Sequence, residues 1–128
     1  MTAVRAFQGW PDLLLLDSAA TGTPRGRYSF LTADPRQRVV IAQPTYGTDP
    51  FALPRAWLQS TPPVLVDGLP PFQGGVAGLM GYELGRCWEQ LPAAPIDDFG
   101  LPVFAAGLYD WVLAWDHHEG RAWWIVQD

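Results

Sequence analysis

Apolar positions along the chain fall into short runs separated by Pro, Gly and Asp. That spacing predicts several strands and few helices. Residues 13–16 are four consecutive leucines, a strand's length, and apolar side chains on both faces predict a buried strand that Asp17 and Ser18 leave at its edge. Residues 1–12 open loosely, with a turn at Trp10-Pro11-Asp12, and residues 19–26 form a small-residue loop. Residues 27–32 alternate and are rich in aromatic and β-favouring types. After the turn at Asp34-Pro35, residues 38–42 return as a second strand, and the two together predict a hairpin. Asp49-Pro50 marks the start of a helix running to about Ser60, with Phe51, Leu53, Trp57 and Leu58 as its apolar stripe and Pro62-Pro63 as its stop. Residues 64–66 predict a short strand.

The second half is organised around residues 70–86. Glycines at 74, 75, 78, 81 and 85 alternate there with Val76, Leu79, Met80, Tyr82 and Leu84. A flexible linker would carry Ser and Asn in place of these large apolar residues. Glycine in a buried strand marks a close approach by another backbone or by a ligand. The pattern predicts an interior strand onto which neighbours crowd, followed by a turn and helical turns over residues 86–91. Residues 93–102 read as a loop carrying Asp97 and Asp98. Residues 103–116 are the longest strand candidate, interrupted only by Asp110, and a turn with Gly120 leads to a last strand over residues 121–127. The chain stops just beyond the hydrophobic Trp123-Trp124-Ile125-Val126, which predicts a polypeptide cut within a longer protein.

At 128 residues the chain allows one domain with a real core. With 48% hydrophobic and 16% charged residues it is not a disordered chain. No apolar run reaches the roughly 20 residues of a membrane span, and the residues after Arg5 do not read as a signal peptide, so none is expected. One cysteine, Cys87, rules out an internal disulfide and fits a reducing, cytoplasmic setting. All eight basic residues are Arg. Without Lys there is no Schiff-base, Walker-type or nucleophilic lysine. Scattered arginines at a net charge of −5 also make a nucleic-acid partner a poor fit.

Candidate chemistry is sparse. The glycine run has neither dinucleotide nor Walker spacing. His117 and His118 are adjacent, splay apart in a turn and have no third ligand at metal spacing. Asp97-Asp98 reads as a solvated loop, and Cys87 as a small core filler. Seven Trp suit core packing better than ligand platforms. The pair Asp17-Ser18 is different. Leaving a strand beside a loop and Arg27, it can hold a zwitterion, the carboxylate and hydroxyl taking an ammonium and Arg27 a carboxylate. An ordinary strand-end turn fits the same residues.

Four blocks, in order and at compatible spacing, carry a resemblance over nearly the whole chain. They are Leu13-Leu-Leu-Leu-Asp-Ser-Ala19, Gly26-Arg-Tyr-Ser-Phe-Leu-Thr-Ala-Asp-Pro35, Pro70-Pro-Phe-Gln-Gly-Gly-Val-Ala-Gly-Leu-Met-Gly-Tyr-Glu-Leu-Gly-Arg86 and Gly107-Leu-Tyr-Asp-Trp111. Together they resemble the N-terminal region of component I of the chorismate-utilising synthases, the anthranilate and aminodeoxychorismate synthases. The segments at 83–92 and 108–117 are more similar to the aminodeoxychorismate type.

The resemblance implies an α+β fold, an antiparallel β-rich layered sandwich half with short flanking helices, incomplete without a C-terminal catalytic half. In the family that half binds chorismate and Mg²⁺, and a glutamine amidotransferase subunit delivers ammonia. This chain would hold no cofactor and by itself convert no chorismate. The family's Leu-Leu-Glu-Ser motif falls on Leu15-Leu16-Asp17-Ser18, which makes Ser18 the expected tryptophan ligand, with Asp17 in place of Glu and Arg27 near the family's basic position. Two other readings remain open at this point: a free-standing amino-acid-binding module, and an interaction domain pairing through residues 121–127.

Overall fold

The computed structural model describes residues 2–18, 20, 23, 26–92 and 99–127. In chain order its elements are α1 (Thr2–Ala6), β1 (Leu14–Leu16), β2 (Tyr28–Thr32), β3 (Gln37–Ile41), α2 (Ala52–Ser60), β4 (Gly75–Met80), a 3₁₀ segment (Tyr82–Cys87), β5 (Phe104–Tyr109), β6 (Trp111–Asp116) and β7 (Arg121–Val126). Two antiparallel sheets result. One has four strands in the order β1-β2-β6-β7, the other three in the order β3-β5-β4. With a few short helices, this is an α+β fold.

Each sheet has its own core. In the three-stranded sheet Phe104 and Ala106 of β5 are buried, and Leu84, Cys87 and Val103 pack with them. Phe51, ahead of α2, meets Phe104 edge-on at 5.4 Å. In the four-stranded sheet Val112, Ala114 and Ile125 form one face, covered by Phe72 and Leu69. On its other face Leu31 is fully buried, and Phe7 and Trp10 pack against Trp111. Pro54 is tolerated at the third position of α2 because the first N–H groups of a helix have no intrahelical partner.

Several expectations are corrected. Residues 13–16 do not form a strand buried on both faces: β1 is an edge strand, and Leu15 and Leu16 are exposed. The hairpin of residues 27–32 with 38–42 does not form. Asp34, at φ +52°, donates its N–H to Pro11, Arg36 donates to Leu108, and β3 is thereby handed to β5 in the other sheet. Residues 103–116 are two strands, because the chain changes sheet at Asp110. Tyr109 pairs with Gly75, Trp111 with Val126, and the Asp110 carbonyl accepts the Gln127 N–H at 2.6 Å.

The glycine strand β4 lies at a sheet edge and is not interior. The crowding expected of it is nevertheless present, since a Cβ on Gly78 would lie 2.0 Å from the Ala105 carbonyl oxygen. Helical turns come earlier than expected, at Tyr82–Cys87. The N-terminal stretch expected to be loose begins with α1. Gly120, at φ +66°, closes the β6–β7 turn as expected. Asp97 and Asp98 lie outside the described residues.

Candidate functional site

Asp17, Ser18 and Arg27 sit where β1 ends and β2 begins. Leu16 pairs with Phe30, so the next residue, Asp17, stands level with Ser29. The Ser29 hydroxyl donates to Asp17 Oδ1 at 2.5 Å. Ser29 Oγ also lies 2.6 Å from His117 Nε2, at the opening of the β6–β7 turn. Ser18 is half-buried one residue further along.

Arg27 is held on the same side of the molecule by carboxylates. Its Nε and Nη2 donate to Asp116 Oδ2 at 2.8 and 2.6 Å, and Nη2 donates to Glu119 Oε1 at 3.1 Å. The guanidinium also rests 4.9 Å from the centre of the Tyr28 ring. Hydrogen bonding to Asp116 raises the Arg27 pKa above its ordinary value against the opposing effect of burial. Nη1 makes no hydrogen bond to a described residue, so Arg27 keeps donors for a further anion.

Of the three residues singled out from sequence, Asp17 is thus tied to Ser29 and Arg27 to Asp116. Ser29, His117 and Asp116 were missed. In the sequence Ser29 is one polar position of an alternating strand and His117 part of an exposed turn. Only the β1–β2 register, which sequence does not print, brings them to Asp17.

A separate cavity of about 170 Å³ opens between Leu13–Leu14 and the three-stranded sheet, floored by Ala77, Gly78, Ala105 and Gly107. Its rim polar groups are already paired, Arg38 with Asp12 at 3.2 Å and the Tyr109 hydroxyl with the Asp12 carbonyl at 2.9 Å. Among the described residues no group of three or more His, Cys, Asp or Glu side chains converges as a metal centre. Likewise no helix among them is long and apolar enough to cross a membrane.

Comparison with known proteins gives the site its context. No protein-family model matches the chain. Aminodeoxychorismate synthase component 1 of Salmonella typhimurium is 38% identical over 122 residues, which cover 85% of this chain and 27% of that protein. The chain is related to the N-terminal region of component I of the chorismate-utilising synthases. Anthranilate synthase component 1 of Arthrobacter globiformis is 34% identical over 125 residues, covering 88% of this chain and 24% of the relative. The Streptomyces coelicolor protein of the same name is 40% identical over 108 residues, 84% and 20% of the two chains. The chain therefore spans about a quarter of the length of the component I relatives it matches. Both synthase types stand among them at similar identity, so the similarity reaches the family and not the type.

Proposed function

We propose that this chain is the N-terminal structural and regulatory part of an aminodeoxychorismate synthase component I. Such a cytoplasmic enzyme aminates chorismate to 4-amino-4-deoxychorismate on the way to 4-aminobenzoate and folate. The observation that carries the reading is similarity across most of this chain to only a quarter of each relative. In this reading residues 1–128 are one domain, the half of a layered sandwich against which a chorismate-binding half docks. Mg²⁺ belongs to that second half, and a glutamine amidotransferase subunit supplies ammonia. The segment Glu-Leu-Gly-Arg-Cys-Trp-Glu-Gln-Leu-Pro at 83–92 supports the aminodeoxychorismate type. Apolar surface supports docking: Trp124 and Val126 on β7 are each 60% exposed.

A second reading, the N-terminal part of an anthranilate synthase with a feedback tryptophan site, is favoured by the pair Asp17-Ser18. In this second reading an amino acid binds here. The free oxygen of Asp17 and the Ser18 hydroxyl take its ammonium, and Arg27 Nη1 its carboxylate. The test has two arms. The chain with chorismate, ammonium and Mg²⁺ is expected to show no turnover, and turnover by the chain alone overturns the assignment of chemistry to another half. Calorimetric titration with tryptophan, repeated on Ser18→Ala and Asp17→Asn, separates these readings from a free-standing amino-acid-binding module: tight binding by this chain alone that weakens about tenfold in the variants favours the module. Unchanged affinity in both variants removes the ligand site.

A further inference from the structure

Behind the proposed ligand site stands a second row of side chains built from three elements. Asp17 follows β1, Ser29 lies within β2 and is 4% exposed, and His117 follows β6. Ser29 Oγ carries one hydrogen and has two close neighbours, Asp17 Oδ1 at 2.5 Å and His117 Nε2 at 2.6 Å. An ionised carboxylate only accepts, so that hydrogen goes to Asp17. The contact with His117 then requires a hydrogen on Nε2, whether the imidazole is neutral or charged. The result is a directed chain from Nε2–H through Oγ–H to Oδ1. It occupies one Asp17 oxygen and leaves Oδ2 without a partner among the described residues.

We infer that Ser29 and His117 are positioning residues of the Asp17-Ser18 site. They aim Asp17 Oδ2 at the ammonium of an α-amino acid and couple its binding to the charge on His117. The inference rests on the amino-acid-binding reading given above. The charged and titratable groups around His117 are Arg27, just ahead of β2, whose carbonyl accepts the His117 N–H; Ser29 in β2 with Asp17 behind it; and Asp116, His118 and Glu119 of its own turn. Asp116 is taken up by Arg27 and by the His118 and Glu119 N–H groups, and Glu119 by Arg27 and Arg121. Asp17, one hydroxyl away, is therefore the acid left to respond to the ring. An imidazolium competes with the ligand ammonium for that carboxylate. A neutral ring keeps the Nε2–H bond and removes the competition, so the site binds more tightly when the ring carries no charge.

The experiment titrates the intact chain with L-tryptophan at about pH 5.5 and about pH 8, comparing wild type with Ser29→Ala, Ser29→Thr and His117→Gln. Wild type is expected to bind roughly threefold or more tightly at the higher pH. Ser29→Ala is expected to lose about tenfold, and Ser29→Thr, which keeps the hydroxyl, to recover most of it. His117→Gln keeps an N–H donor without the charge and is expected to bind equally at both pH values. Indole-3-propionate, which lacks the ammonium, is expected to gain nothing with rising pH. Wild-type binding that is independent of pH, or Ser29→Ala and His117→Gln profiles that match wild type, overturns the relay and leaves the ligand site standing. No tryptophan binding by wild type at either pH overturns both. His117 lies on an exposed turn, so its variant keeps the test decisive even if Ser29→Ala does not fold.

Discussion

Arg27 and Asp116 form a two-pronged ion pair, Nε and Nη2 of the arginine donating to the same carboxylate oxygen, and the Asp116 side chain is only 1% exposed. The other oxygen accepts the His118 and Glu119 N–H groups at 2.9 and 3.1 Å, tying the start of β2 to the β6–β7 turn. The Arg27 hydrogen bond, helped by the two turn amides and opposed by burial, holds the carboxyl at about 2, below the usual 3.8. A depressed pKa stabilises the fold above the unfolded value and is lost as pH falls through the folded one. Acid unfolding followed by circular dichroism should therefore show a stability loss between about pH 4 and pH 2. Asp116→Asn keeps an oxygen for the turn but gives up the charge. It should lack that component and melt below wild type at neutral pH, with Arg27→Lys between the two.

Two glutamines do the work of a missing strand. Gln127 accepts from the Val64 N–H and donates to the Val64 carbonyl at 2.8 and 3.0 Å. Gln73 does the same for Val66 at 2.9 and 3.0 Å. Residues 64–66, expected from sequence to be a strand, form none and are bonded instead by side-chain amides. Gln73 is 4% exposed, and removing its amide takes both hydrogen-bond partners from the part-buried Val66 N–H and carbonyl. Gln73→Ala should cost about 2 kcal/mol and Gln127→Ala about 1 kcal/mol. Denaturant titration measures both. Hydrogen exchange should find the Val64 and Val66 amides slower than that of Leu65 in wild type and equal to it in the double variant.

The approach of β4 to β5 sets a third expectation. A Cβ at Gly78 would lie 2.0 Å from the Ala105 oxygen and 2.7 Å from the Ala106 Cα, both backbone atoms that cannot swing aside. Gly78→Ala should destabilise by about 2 kcal/mol or more through overpacking. At Gly85 an added Cβ meets nothing within 4 Å. Gly85→Ala should change stability by less than about 0.5 kcal/mol. Equal midpoints for the two variants in urea would remove the packing explanation of the glycine run.

What could be read from sequence was local. The strands at residues 28–32 and 121–126, the helix ending at Ser60 and the Gly120 turn follow from alternation, the Pro62-Pro63 stop and the need for positive φ, although the helix starts at Ala52 behind Phe51 and not at Asp49-Pro50. Partner choice was not legible. Residues 38–42 have the composition of a return strand, yet whether β3 pairs with β2 or β5 depends on Arg36 bonding Leu108, 72 positions away (108 minus 36). Asp110 was visible as a lone charge in an apolar run, but not that the chain would change sheets there. At the site, Asp17-Ser18 announced itself as a polar pair closing a leucine run. The partners that orient Asp17 come from strand register and from a turn 100 residues on (117 minus 17), which composition cannot supply.

Phe104 and Trp124 separate what holds the fold from what its surface offers. Phe104 is 3% exposed and meets Phe51 edge-on, so Phe104→Ala should cost about 3 to 5 kcal/mol and lower the urea midpoint accordingly. Trp124 is 60% exposed but stacks on Trp111 at 5.6 Å, and truncating it should cost only about 1 kcal/mol. If β7 is part of the surface that receives a catalytic half, the ranking reverses in a second measurement. Trp124→Ala should weaken association with a separately produced chorismate-binding half of a component I relative by tenfold or more, a typical effect for a central aromatic. Phe104→Ala, once folded, should leave that affinity within about threefold of wild type. Analytical ultracentrifugation of the mixed halves decides it, and equal affinity for wild type and Trp124→Ala would place the docking surface away from β7.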